Sequence, residues 1–232
     1  MSDRWVEVAD GVLVRRHRSL DLNCGLVVGE DACLVVDTRS DLDEAADLAA
    51  AVQRITPHPW TVVNTHAHYD HCFGNAAFRP AHIWAARGCA AAMPGTVDLP
   101  DRLVDDVAFL DLGGREVGLR FLGRGHTDHD LVVDVDDGAV IFAGDLVEEG
   151  APPAFEDAYP AEWPATLGRV HLLARGPVVP GHGAVVDAAF VAAQRAELLA
   201  VLGALREGRL DAGPYDPATM RTAAVRWSAL HL

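Results

Sequence analysis

Between residues 65 and 71 the chain reads Thr65-His66-Ala67-His68-Tyr69-Asp70-His71, and few folds can accommodate that run. It follows directly on an apolar stretch, Trp60-Thr61-Val62-Val63-Asn64, which reads as a short buried strand. While the backbone is extended, His66 and His68 point to the same side. Asp70 and His71 come where the chain can turn into a helix, so they reach a second point close by. Imidazoles with a carboxylate suit zinc, and also iron or manganese. A lone histidine pair on a strand would be read as ordinary surface or core residues. Four ligand-type side chains packed this densely are costly to bury without something to compensate them, and a metal ion is what fits.

Three later positions repeat the theme. His126 in Gly125-His126-Thr127, Asp145 in Gly144-Asp145-Leu146 and His182 in Pro180-Gly181-His182-Gly183 each stand at a strand end beside glycine. Taken singly, each is a turn or cap residue. Strand ends on one edge of a sheet converge, however, so the seven together can line one cleft. Asp37 closes another strand; its position suits either a turn aspartate or a carboxylate that holds a metal ligand. His129 lies in the same glycine-rich loop as His126 and is not counted among the ligands.

The pattern around these anchors predicts two β-rich blocks, each followed by helices. The first has strands about an Asp10-Gly11 turn, then 26–28 and 33–36 about Gly29-Glu30-Asp31. A helix capped by Asp41 runs over 41–55 and stops at Pro57 and Pro59. After the cluster come a short helix from Asp70, a strand at 82–85, a helix at 87–93 and a loop at 94–104. The second block has strands at 107–110, 117–122, 131–135 and 139–143, a loop at 148–164, and helices at 165–173, 188–205 and 217–232. Phe155, Tyr159 and Trp163 in the 148–164 loop are the candidate substrate-binding wall.

Composition narrows the function classes. The chain has 232 residues, enough for a substantial core, and a net charge of −15. All its basic residues are arginines, scattered without a stripe to neutralise phosphates, which argues against a nucleic-acid partner. Four cysteines show no framework spacing, the first residues carry no secretory pattern, and no run has the apolar length of a membrane helix. The expectation is a cytoplasmic protein acting on a small molecule, away from membranes, as a monomer or homodimer.

The series His66-x-His68-x-Asp70-His71, followed by His126, Asp145 and His182, resembles the metallo-β-lactamase superfamily over nearly the whole chain. The resemblance implies an α+β fold, a four-layer αββα sandwich of two mixed β-sheets flanked by helices, as a single domain over 1–232. It implies two divalent metal ions, zinc first, with iron or manganese as alternatives. His66, His68 and His126 would hold one, Asp70, His71 and His182 the other, and Asp145 would bridge them. It further implies a binuclear hydrolase in which a metal-bridging hydroxide attacks the carbonyl of a small ester, thioester or lactone. Asp70 would be catalytic as well, orienting the hydroxide or shuttling a proton. An aspartate at 145 looks like hydroxyacylglutathione hydrolases and lactonases more than β-lactamases of this fold, which generally carry a cysteine or another residue there. The tail after His182 has only scattered arginines, unlike the basic region with which glyoxalase II meets glutathione. Lactonases of this fold use a tyrosine near the site, a role open to Tyr159, which as a loop aromatic also suits packing or a substrate wall. The alternatives on the same fold are a mononuclear iron persulfide dioxygenase and a β-lactam hydrolase.

Overall fold

The alternating apolar pattern near the N-terminus resolves into four strands in the computed structural model, which describes residues 4–231. They are β1 (Trp5–Ala9), β2 (Val12–Arg16), β3 (Asn23–Val28) and β4 (Cys33–Val36). Helix α1 (Leu42–Gln53) starts as its sequence requires, with Asp41 Oδ1 accepting the Glu44 N–H at 2.8 Å. Then come β5 (Trp60–Val63), α2 (Tyr69–Cys72), β6 (His82–Ala86), α3 (Arg87–Ala92) and β7 (Arg102–Val104). β7 falls in a segment read as loop; its three residues are too few to show a period. The second block is β8 (Val107–Asp111), β9 (Glu116–Phe121), β10 (Leu131–Val135), β11 (Val140–Glu148), α4 (Trp163–Leu173), β12 (Val178–His182), α5 (Ala188–Glu207) and α6 (Pro217–Leu230).

The strands pair into two mixed sheets. The first runs β1-β2-β3-β4-β5-β6-β7, antiparallel up to β4 and parallel from there on. The second runs β12-β11-β10-β9-β8, antiparallel except for the parallel pair β11 and β12. Side-chain alternation then sorts residues into layers. On β4, Leu34 and Val36 join Leu119, Leu131, Val133 and Phe142 of the other sheet, whereas Cys33 and Val35 join Leu48 and Val52 of α1. On β11, Val140 and Phe142 belong to the core between the sheets, while Ile141 and Ala143 pack with Leu167, Val170, Val191 and Leu198 of α4 and α5. Helix, sheet, sheet and helix follow in order: the four-layer α+β sandwich. The reading that no run has the apolar length of a membrane helix is corrected by α5, which is long and apolar enough to cross a bilayer; its Val191, Leu198, Val201 and Leu205 pack into this core.

The two sheets are stitched together along one edge. Leu131 N–H donates to the Thr65 carbonyl at 2.8 Å, linking the start of β10 to the end of β5. Leu22 bridges to His182, and Asn23 Nδ2 donates to the carbonyls of Pro180 and Gly183, both at 3.0 Å. This is the edge at which the sequence places its candidate ligands.

The aromatic wall requires a correction. Phe155 and Trp163 are buried in the core under α4 and α5, 5.6 Å apart between ring centroids. Trp163 Nε1 donates to the Leu146 carbonyl at 3.1 Å, so its one polar atom is satisfied internally. Neither ring can face a substrate; of the three, only Tyr159 is partly exposed. Trp163→Ala is accordingly expected to destabilise the fold by about 3–5 kcal/mol in a urea titration. A loss below about 1 kcal/mol would put Trp163 outside the core.

Candidate metal centre

His66 and His68 leave the end of β5 on the same side, as their spacing demands. His68 Nδ1 lies 3.0 Å from His66 Nε2 and 2.9 Å from His126 Nε2. Across from them, Asp70 Oδ2 is 3.3 Å from His182 Nε2 and 3.7 Å from His71 Nε2, and those two nitrogens are 3.3 Å apart. The Asp145 carboxylate sits between the sets. Its Oδ2 is 3.6, 3.5 and 3.4 Å from the Nε2 atoms of His66, His126 and His182, and its Oδ1 is 3.2 Å from that of His71. All seven residues singled out in the sequence thus converge, as one group of His66, His68, His126 and Asp145 and another of Asp70, His71 and His182.

A second ring of partners aims the imidazoles inward. Asp37 Oδ2 accepts from His71 Nδ1 at 2.8 Å, and Asp37 also accepts from the Thr65 N–H and hydroxyl, both at 2.8 Å. That leaves Thr65 Oγ1 to accept from His66 Nδ1 at 3.0 Å. His182 Nδ1 donates to the Leu20 carbonyl at 2.7 Å, and His68 Nε2 to Asp157 Oδ2 at 3.0 Å. In four of the five rings the outward nitrogen therefore carries the proton, and the nitrogen facing the centre is the one free to bind a cation. Of the two roles open to Asp37, the structure assigns that of holding a ligand.

Backbone geometry serves the bridging position. Asp145 lies within β11, not beyond its end, where the pairing with β12 shifts register around Gly144. Gly144 has φ +51, a conformation that side chains resist, and it turns the strand at that point. At Gly181 a Cβ would come 1.7 Å from Asp145 Oδ1, so only glycine lets β12 pass behind the carboxylate.

The charges fit cations better than protons. Burial, then the neighbouring His71, depresses His66 well below its ordinary value, and burial brings His126 down to about 4. Burial opposes charge on His71 and His182 too, but Asp145 and Asp37 raise His71 strongly, and Asp145 and Asp70 bring His182 to about 10. Asp145 is driven well below the carboxylate range because His71 and His66 outweigh its burial. Asp145 Oδ1 and His126 Nδ1 nonetheless remain buried without a hydrogen-bond partner. Orphaned polar atoms and converging nitrogens are what a site for divalent ions requires, and the residues fit it.

One contributor, Asp157, carried no sequence signal. Asp157 lies in an irregular loop and is positioned from the far end of the chain: Arg226 on α6 donates to the carbonyls of Ala158 at 2.7 Å and Asp157 at 2.8 Å. His129 is no ligand; its Nε2 accepts the N–H of Ala67, between His66 and His68, at 3.3 Å, while its Nδ1 donates to Asp128 Oδ1 at 2.6 Å. The Tyr159 hydroxyl donates to the other Asp128 oxygen at 3.3 Å, with its ring against the guanidinium groups of Arg124 and Arg226. Tyr69, next to Asp70 in the chain, is half-exposed.

Asp37 supplies the sharpest test of this outer ring. Asp37→Ala strips the acceptor from three donors and is expected to cost about 3 kcal/mol or more. Asp37→Asn tolerates the φ of +63 found there and costs less, while weakening the His71-containing ion site by about 10–100-fold. Urea unfolding and zinc competition titrations check both; wild-type zinc affinity in the two variants would contradict the assigned role.

A family model described as the metallo-beta-lactamase superfamily matches residues 20–201. The type 2 metallo-beta-lactamase of Bacillus cereus is 29% identical over 178 residues, covering 70% of this chain and 68% of that protein. The type 2 enzyme of Bacillus sp. (strain 170) is 30% identical over 173 residues, covering 70% and 67%. A hydroxyacylglutathione hydrolase of Rhodopseudomonas palustris (strain BisB18) is 35% identical over 134 residues, covering 55% of this chain and 49% of that protein, about half its length. Among solved structures, a metallo-beta-lactamase from Pontibacter korlensis superposes with a TM-score of 0.76 at 20% identity, covering 84% of this chain and 98% of that one. One from Hirschia baltica superposes with a TM-score of 0.70 at 17% identity, covering 83% and 96%. The structural matches establish the fold, the family model spans most of the sequence, and this chain belongs to the metallo-β-lactamase superfamily.

Proposed function

We propose that the chain is a metal-dependent hydrolase that works with two divalent ions, zinc first, on a small ester, thioester or lactone. Asp145 carries this reading: one buried carboxylate lies 3.2 to 3.6 Å from four imidazole nitrogens belonging to two separate donor groups. His66, His68 and His126 would hold one ion, Asp70, His71 and His182 the other, and Asp145 would be shared. Bound there, such ions polarise a carbonyl and bring the pKa of water toward neutrality.

The chain's own groups set the geometry and the proton traffic. Asp37, Asp157 and the Leu20 carbonyl lock the imidazoles, so no reorganisation is needed as charge develops. Burial raises the pKa of Asp70, but its contact with His182 outweighs this and holds it below the usual carboxylate range. Asp70 is therefore ionised at neutral pH and placed to take a proton from water and return it to a leaving group. Tyr69, next to Asp70 in the chain, and Leu20, whose carbonyl holds His182, are each about half exposed and would offer apolar contacts to a substrate.

The relatives bear on substrate class without deciding it. The similarity to a hydroxyacylglutathione hydrolase supports thioesters, and that to type 2 metallo-beta-lactamases keeps β-lactams in view. A single-iron persulfide dioxygenase would need two histidines and one carboxylate, and would leave much of this converging donor set unused.

Elemental mass spectrometry on protein purified without a metal-binding tag is the test, followed by a screen of thioesters, lactones, aryl esters and a chromogenic β-lactam. The expected result is close to two zinc or manganese ions per chain, with hydrolysis of a thioester, ester or lactone that Asp145→Ala abolishes. One iron per chain, oxygen uptake with a persulfide and no hydrolysis would overturn the proposal.

A further inference from the structure

Between the 150–153 segment and α5 lies a cavity of about 310 Å³. Its lining includes Glu148, Pro153, Phe190, Gln194, Glu197 and Tyr215, and none of the seven candidate metal ligands. Glu148 ends β11 and is only 9% exposed, yet among the described residues it has no ion-pair partner. The Ala154 N–H reaches its Oε1 at a marginal 3.5 Å.

The polar side chains that line the cavity beside this carboxylate are engaged with other partners. Gln194 accepts from the Glu148 backbone N–H at 3.1 Å and donates to the Leu146 carbonyl at 3.0 Å, so its amide is engaged at both ends. Tyr215 donates its hydroxyl to Glu197 Oε2 at 2.9 Å. No arginine lines the cavity, and the chain contains no lysine.

A buried carboxylate opening on a cavity invites a cation. A metal ion is not the occupant the geometry favours, because among the described residues the only close groups of three ligand-type side chains belong to the centre already described. The buried Glu148, a second carboxylate at Glu197, and the rings of Phe190 and Tyr215 with Pro152 and Pro153 in the lining instead suit an organic ammonium group. Aromatic faces and carboxylates together recognise such groups. A net charge of −15 favours the approach of a cation.

We propose that this cavity binds the ammonium group of a small organic cation, with Glu148 as its counter-ion. The inference uses none of the metal centre's donors and stands whichever reaction that centre performs. Titration calorimetry on the metal-loaded protein tests it, with choline and n-butylammonium as probes and 3,3-dimethylbutan-1-ol as the uncharged counterpart of choline. Saturable binding of at least one ammonium ion is expected, about tenfold or more tighter than the alcohol. Glu148→Gln should weaken it by about tenfold or more. Ala193→Trp, which fills the cavity from an exposed position on α5, should do the same. Unchanged thermal midpoints in both variants would separate a lost site from a lost fold, and a variant with a lowered midpoint is replaced by Phe190→Leu. The inference fails if neither ammonium ion binds up to about 50 mM, if the alcohol binds as tightly, or if correctly folded variants bind as the wild type does.

Discussion

The Asp37 carboxylate is the interaction on which the site depends. It is buried at the end of β4, in a left-handed backbone conformation, and accepts from the Thr65 backbone, the Thr65 hydroxyl and His71. One acidic side chain thereby fixes where β5 ends, how its histidine run leaves the sheet, and which nitrogen of His71 faces inward. Through Thr65 it also orients His66, and the Thr65 carbonyl receives the first N–H of β10, bringing in the second sheet. Burying a carboxylate is tolerable only where its hydrogen bonds are met, and here the donors belong to the segment that must be placed.

Much of this was legible in the sequence, for identifiable reasons. The layers follow from alternation, as on β4 and β11, where successive residues face different cores. The ligands were legible because imidazoles and carboxylates at strand ends have few structural uses in such numbers. What stayed hidden depends on contacts between distant segments. Asp157 has no local pattern, and its place is set by Arg226 at the other end of the chain. Phe155 and Trp163 sit in a loop where an aromatic ring can be wall or core; packing under α4 and α5 makes them core. Asp145 looked like a residue beyond a strand end, whereas β11 continues through it to Glu148 around an irregular register that apolar patterning does not reveal.

Two layers of charge are superposed around the centre. The inner layer is five imidazoles and two carboxylates; the outer comprises Asp37, Asp157, backbone carbonyls and the His129–Asp128 pair that steadies the Ala67 amide. The outer layer leaves an inward lone pair on each imidazole it holds, which is a demand of metal chemistry and not of folding. Sequence similarity to both a hydroxyacylglutathione hydrolase and type 2 metallo-beta-lactamases fits an inner layer common to several reactions. Loops around such an inner layer can vary while its donors stay fixed.

The central claim is that Asp145 is shared between two ions. Anomalous diffraction at the zinc absorption edge from zinc-loaded crystals tests it most directly. The account predicts two peaks, one on each side of the Asp145 carboxylate, with His66, His68 and His126 around the first and Asp70, His71 and His182 around the second. A single fully occupied peak, or two peaks that leave Asp145 uncoordinated, would contradict it.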